Sequence, residues 1–471
     1  MLIVIGGAGR VGVGLAKALR SENRDVALLD NSASAVKSAQ MIDALVLHGD
    51  VASREQLIKA NIREAKVFIA ATGSDELNLL SCALARHEHG RGRNADENFI
   101  TICRVSNPSV AKESENGLLR EWSGVDFAIS PIEGSINRLK IGLKTTSFEE
   151  VIPFGHDAYI VEMKVTKDAN EILFTNLREA GQRISNLPTI VGLKREHEPS
   201  AVPDANTKFM ANDMIAVAAI GTRSFTRIVR LMGHDEEDFP VHPKVCVFGA
   251  GEIGVGLAKS YLEDGCEVTV IEPDLALANH LAGGEFGNNP RLDVINGDHH
   301  DKQLLKEIGL GRHDIAVAGL SDDHASIAVA VLAESLGVRR TGLVLQDADL
   351  VSVVKKMGIT FAVNKKRVAV DMILAEVHDA LPGPYGMLDS IPDIVGAIMP
   401  LSDDEHKSDL SIEKLKLPSW TKVAFIQRLD PDGGRVTLSA NAGKLLHKGD
   451  RLLCFLPPDR IDELKTRFSV E

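Results

Sequence analysis

Long apolar runs are missing from this chain. No stretch of about 20 apolar residues occurs, so nothing in it is expected to span a bilayer as a helix. The first apolar run, Met1 to Ile5, lacks a basic leader, and no signal peptide is expected. Cysteine is scarce and scattered: Cys82, Cys103, Cys246, Cys266 and Cys454 form no C-x-x-C pair. A disulfide framework and a cysteine zinc site are therefore not expected, and buried thiols in a reducing cytosol fit better. No Lys/Arg-rich block offsets the net charge of −13, which argues against a nucleic-acid binder. Catalytic signatures are absent as well. There is no G-x-S-x-G and no recognisable Cys/His nucleophile arrangement.

What is present is a chain of 471 residues, too long for one core, that opens on a strand breaking into glycine. Gly7, Gly9 and Gly12 have the G-x-G-x-x-G spacing after Leu2-Ile-Val-Ile5. In a strand–turn–helix unit, Gly7 permits the turn, Gly9 lets the backbone approach a pyrophosphate, and Gly12 lets helix pack on strand. Free N–H groups and the helix dipole favour phosphate there. A second apolar run ends at Asp30, 18 residues beyond Gly12, where a dinucleotide fold places the acid that binds an adenosine ribose. Further strands are expected at Ala44 to Asp50, Val67 to Ala71, Phe99 to Arg104 and Val125 to Ser130, with helices between and a polar surface excursion from Glu88 to Glu97. This alternation means a parallel, doubly wound sheet. Its ligand crevice lies beyond the strand ends, where Gly9, Asp30, Asp50, Thr72 and Arg104 fall.

The chain then repeats itself. Gly249, Gly251 and Gly254 match the first glycines at an offset of 242, and Glu272 matches Asp30 at the same offset. At an offset of 248, Asp298 matches Asp50 and Asp323 matches Asp75. A repeat of this size is a tandem duplication. The expected architecture is α/β: two tandem Rossmann-like doubly wound parallel-sheet domains, each followed by a small α+β domain. The boundaries read as 1–146, 147–232, a charged linker at 233–243, 244–383 and 384–471. In the last segment Val423 to Arg428 and Arg451 to Leu456 read as strands with Gly449-Asp450 as the turn between.

Asn31 and Pro273 follow the two acids, so no arginine stands ready for a 2′-phosphate, and NAD(H) or an adenosine nucleotide is expected rather than NADP. Arg104 is suited to a phosphate in the first crevice; Val344 takes its place in the second copy, so the two sites are chemically unequal. Thr72 stands beside the crevice at a helix start. His87 and His89 do not share a helix face, and His299-His300 beside Asp298 reads as a solvated turn; no metal site is expected. A dehydrogenase needs an acid–base group placed against a hydride acceptor. Neither small domain offers one, so binding is expected rather than catalysis, with an NAD-dependent oxidoreductase as the alternative. The helix after Ser130 carries Ile136, Leu139 and Leu143 at helical spacing, suited to a dimer contact or to packing on its own sheet.

These segments resemble the TrkA family of tandem RCK (regulator of potassium conductance) proteins. The likeness is carried by Ile5-Gly-Gly-Ala-Gly-Arg-Val-Gly12, Leu28-Leu-Asp30, Gly49-Asp50, Ala70 to Asn78, Ile102-Cys-Arg104 and Phe127 to Pro131, then by Val247 to Gly254 and Val270-Ile-Glu272. The resemblance implies a non-enzymatic cytoplasmic regulator, peripheral to the cell membrane through a TrkH-type transporter subunit. It implies a ring-like homo-oligomer whose geometry gates potassium uptake, and NAD(H) and/or ATP or ADP as ligands; a regulator of another cation channel or exchanger is the neighbouring possibility. The ligand positions it implies are Gly7, Ala8, Gly9, Arg10, Val11, Asp30, Thr72, Gly73 and Arg104 in the first copy, beside Gly12 and Asp50 from the spacing and the crevice. In the second they are Gly249, Ala250, Gly251, Glu252, Ile253 and Glu272, beside Gly254 and Asp298 from the repeat. Gly319-Leu-Ser321 replaces Ala71-Thr-Gly73 there, a departure from the pattern.

Overall fold

The computed structural model describes residues 1–92, 98–115, 117–154, 157–235, 238–381, 384–386, 388, 390–401, 410–430, 435–441 and 443–468. Strands β1 to β6 lie at Leu2–Gly6, Asp25–Asp30, Leu45–His48, Val67–Ala70, Ile100–Arg104 and Phe127–Ile129. Strands β7 to β10 follow at Phe148–Pro153, Ala158–Lys164, Thr189–Lys194 and Met214–Ile220. Strands β11 to β16 occupy Lys244–Phe248, Glu267–Glu272, Leu292–Asn296, Ile315–Ala318, Arg340–Leu345 and Phe361–Asn364. Strands β17 to β21 occupy Pro384–Tyr385, Val395–Pro400, Lys422–Leu429, Arg435–Ser439 and Arg451–Leu456.

Contacts divide the chain into two units. One holds Met1–Leu139 with Phe239–Ala380, and the other Lys140–Asp238 with Leu381–Glu471. The first unit contains two six-stranded parallel sheets of order β3-β2-β1-β4-β5-β6 and β13-β12-β11-β14-β15-β16. This is the doubly wound order, with its switch point between the first strand and the fourth of each sheet. The central strands are apolar on both faces because helices cover both, as parallel sheets require; Ile3, Val4 and Ile5 are fully buried. Ser74 accepts a hydrogen bond from Leu77 N (3.2 Å) and caps the helix Asp75–His89, and Asp322 does the same for Asp323–Ser335 through His324 N (2.8 Å).

Asp75 and Asp323, matched by the repeat, do one job twice. Asp75 accepts from Ser106 N and Asn107 N (2.8 and 3.0 Å), and Asp323 from Gln346 N and Asp347 N (both 2.9 Å). Each carboxylate ties a helix start to the loop after the fifth strand. The surface excursion expected from Glu88 begins later. The helix runs on to His89, Glu88 is buried and paired with Arg63 (3.0 Å), and His89 stacks on Phe99 with centroids 4.1 Å apart. A carboxylate and an imidazole are buried there because each has a partner. Residues 93–97 of that stretch, and residues 236 and 237 of the expected linker, lie outside the described residues.

Within this unit the two sheet domains pack through helices. The helix Arg10–Ser21 lies against Lys365–Ala380, with Gly14 beneath Val370. The helix Pro131–Gly142 meets the second domain: Ile136 sits over Gly256, Gly134 faces Met372, and Arg138 pairs with Asp371 at 2.8 Å. Ile136, on the apolar face of this helix, thus serves a contact inside one chain. The second unit pairs a four-stranded antiparallel sheet, β7-β8-β10-β9, with a five-stranded one, β17-β18-β21-β19-β20. Their shared core includes Ile152, Phe154, Ile391, Phe425 and Phe455. Gly449-Asp450 does not join β19 directly to β21, because β20 intervenes. Asp450 instead takes a two-pronged bond from Arg428 (2.8 and 2.7 Å), as Asp213 takes one from Arg195 (2.8 and 2.9 Å). The preceding Gly449 and Asn212 both have positive φ (81° and 72°).

Candidate nucleotide sites

The first crevice is a cavity of about 730 Å³ at the switch point. Gly7 turns the chain with φ of +104°, and a Cβ there would press on the Ala71 carbonyl. Gly9 opens the helix Arg10–Ser21 with its Cα facing open space, and Gly12 lies so close to the Gly7 carbonyl that no side chain fits. The turn at Gly7 and the close packing at Gly12 are those the spacing predicts, and Gly9 leaves open space beside the cavity. Asp30 accepts Ala8 N (2.6 Å) and Ser32 N (2.7 Å), so the carboxylate is locked beside the glycine turn while still lining the cavity.

Arg10, Val11, Thr72, Gly73 and Arg104 line the cavity as well. Thr72 Oγ1 donates to Asn78 Oδ1 (2.6 Å), and Asn78 Nδ2 donates to the Arg104 carbonyl (2.8 Å), which fixes the wall between β4 and β5. Asp50 is not brought in: it is exposed and accepts Ala52 N (2.9 Å), and the wall there is Val51.

Sequence reasoning missed the far wall. Lys365, Lys366, Ala369 and Gln346 from the second sheet domain close the first crevice. The lining thus carries four cations, Arg10, Arg104, Lys365 and Lys366, against the single carboxylate Asp30. Burial holds both lysines below the ordinary ammonium value. For Lys365 the opposing pull of Glu252 and the push of Arg104 follow; for Lys366 the nearby Arg10 adds to burial, against Asp323 and Asp347. A signal was there to read. Lys365 and Lys366 open a helix, where the dipole disfavours cations, at the place of Pro131-Ile132 in the first copy.

The second crevice, about 520 Å³, repeats the frame and changes the charges. Gly249 has φ of +95°, Gly251 opens the helix Glu252–Glu263, and Gly254 packs beneath the Gly249 carbonyl. Glu272 accepts Ala250 N (2.6 Å) and Asp274 N (2.8 Å), as Asp30 does with its own neighbours. Glu252 and Ile253 line the cavity, but Asp298 does not; its neighbour His299 does. Lys365 and Gln346 line both cavities.

The TrkA-N domain family matches this chain twice, at residues 3–131 and 245–365. A protein named Trk system potassium uptake protein TrkA, from Haemophilus influenzae, is 25% identical over 480 residues, covering 100% of this chain and 99% of its own length. A homologue of that name from Archaeoglobus fulgidus is 24% identical, covering 99% of this chain and 100% of itself. Among solved structures, the GsuK channel bound to NAD superposes with a TM-score of 0.55 at 18% identity, over 99% of this chain and 78% of that one. The GsuK RCK domain superposes equally, with a TM-score of 0.55 and 94% of its own length covered. At that identity the likeness is one of fold. No helix among the described residues is long and apolar enough to cross a membrane. The two family matches take in both parallel sheets with their glycine turns, and the chain belongs to the TrkA-N family.

Proposed function

We propose that the chain is a cytoplasmic, non-enzymatic regulatory subunit that gates potassium uptake through a membrane subunit of the TrkH type, with NAD(H), ATP or ADP bound in the first crevice. The observation that carries this reading is the composition of that crevice. A glycine turn and Asp30 suit an adenosine ribose and pyrophosphate, and Arg10, Arg104, Lys365 and Lys366 face them from both sheet domains. A phosphate held between the two domains has an affinity that depends on their arrangement. Ligand occupancy therefore biases that arrangement, and a coupling of about 1–3 kcal/mol suffices to shift a conformational equilibrium. The names of the full-length relatives, and the NAD bound to the GsuK channel, support the same reading. Self-association into a ring-like oligomer would pass the domain motion to the pore.

The test is potassium flux through a reconstituted TrkH-type subunit in proteoliposomes, with and without this protein and with each nucleotide. Flux that depends on the protein and changes with nucleotide is expected. Flux indifferent to both would overturn the proposal.

A further inference from the structure

The second crevice has the frame of a phosphate site and the wrong charge for one. Glu252 stands where the first copy has Arg10, Val344 where it has Arg104, and Leu320 where it has Thr72. Glu252 opens its helix, so its own carboxylate already complements the helix dipole that a phosphate would use. The Leu320 side chain lies directly over the Gly249 turn. Around the cavity, Glu252, Glu272 and Asp322 oppose Lys365, the reverse of the balance in the first crevice.

At the lip of this negative cavity stand Asp298, His299 and His300, where the first copy has Asp50, Val51 and Ala52. One donor atom from each of the three lies within 4.8 Å of the others. The two imidazole rings are 4.5 Å apart at their centroids and tilted by 50°. His299 lines the cavity, and its Nδ1 is shielded from solvent with no hydrogen-bond partner. A polar atom hidden without a partner leaves its desolvation uncompensated, and an ion ligated through this nitrogen would offset that cost.

We propose that the turn at the lip of the second crevice holds a divalent transition-metal ion of the zinc type, bound by the Asp298 carboxylate and the His299 and His300 imidazoles. Two nitrogen donors and one oxygen donor suit zinc, cobalt or nickel; magnesium and calcium want oxygen alone. Three protein ligands leave at least one position for water or a further ligand. The surrounding carboxylates lower the electrostatic cost of bringing a dication there. The turn that reads from sequence as merely solvated thus becomes a site because the fold sets it at the mouth of an acidic cavity. This inference does not depend on what fills the first crevice.

The experiment titrates the full-length, tag-free protein with Zn²⁺ by calorimetry and with Co²⁺ by visible absorption. A single saturable equivalent is expected, with cobalt ligand-field bands. It is lost in the His299→Ala/His300→Ala double variant, weakened in Asp298→Asn, and kept in His87→Ala, whose exposed imidazole lies on a helix of the other sheet domain. The Asp298→Asn variant preserves the size of the side chain, so its effect is read independently of any folding change in the double variant. No saturable binding in the wild type, or an equivalent retained in the double variant, overturns the proposal.

Discussion

Replacing Lys366 with glutamine removes one of the four cations that face the first crevice and keeps most of the side chain's length. Two unit charges about 4 Å apart interact by about 4 kcal/mol at an effective dielectric near 20. Part of that is offset, because the phosphate must shed water and Arg10 and Arg104 remain to hold it. A net loss of about 1–2 kcal/mol is reasonable, which is a roughly ten-fold weakening of nucleotide binding. Two further consequences follow from the same charges. Lys366 is held below the ordinary lysine value by burial and by Arg10, so a bound polyphosphate raises it and binding takes up protons at alkaline pH. The salt dependence of binding also flattens in the variant, since one fewer screened charge is involved. Calorimetry with ATP, ADP and NAD at two salt concentrations measures all of this. Unchanged affinity and an unchanged salt slope in a folded Lys366→Gln protein would refute the idea that the second sheet domain completes the first site.

Asp30→Ala is expected to weaken adenosine ligands at the first crevice by about 1–3 kcal/mol, and also to free Ala8 N and Ser32 N; affinity equal to wild type would defeat the ribose assignment. Arg138→Leu removes a buried partner of Asp371 between the two sheet domains, and chemical denaturation should show a loss of about 1–3 kcal/mol in the sheet-domain unit. The third concerns His378, which is fully buried and bonded to Glu22 at 2.8 Å, between the same domains. Burial holds this imidazole below its ordinary value, Glu22 pulling the other way. Its folded form therefore binds fewer protons than its unfolded form near that value. Stability from this group is present above about pH 6.5 and is lost as pH falls toward the folded value. Melting followed from pH 7.5 to 5.5 should show a steeper decline in wild type than in His378→Gln, and parallel curves would count against it.

The glycine turns show how far local chemistry reaches. The requirements at Gly7, Gly9 and Gly12 concern a single strand, turn and helix, so spacing alone carries them, and the duplication at Gly249, Gly251 and Gly254 doubles the signal. The parallel sheets were legible for the same reason, since buried strands read as unbroken apolar runs. Asp50 misled because the Gly-Asp pair recurs at Gly297-Asp298 at the offset of 248, yet each carboxylate turns to a backbone N–H outside the cavity (Ala52 N and His300 N, 2.9 and 2.8 Å). β20 was missed because its run Arg435-Val-Thr-Leu-Ser439 is short and half polar, and only its pairing with β19 makes it a strand. Arg195 and Asp213 carried no visible link in sequence; their equivalence to Arg428 and Asp450 is one of geometry.

The sequence by itself determined the two Rossmann-like sheets, their glycine turns and the acids that end the second strands, because each depends on residues close along the chain. Only the tertiary structure decided what those turns face. Lys365 and Lys366 lie more than 350 residues from Gly7, and they reach the first crevice because the helix they open packs against Arg10–Ser21. Charge acts through space rather than along the chain. Packing therefore deepened a contrast between the crevices that Arg10 against Glu252 and Arg104 against Val344 already began in the sequence, by bringing Lys366 to the first alone.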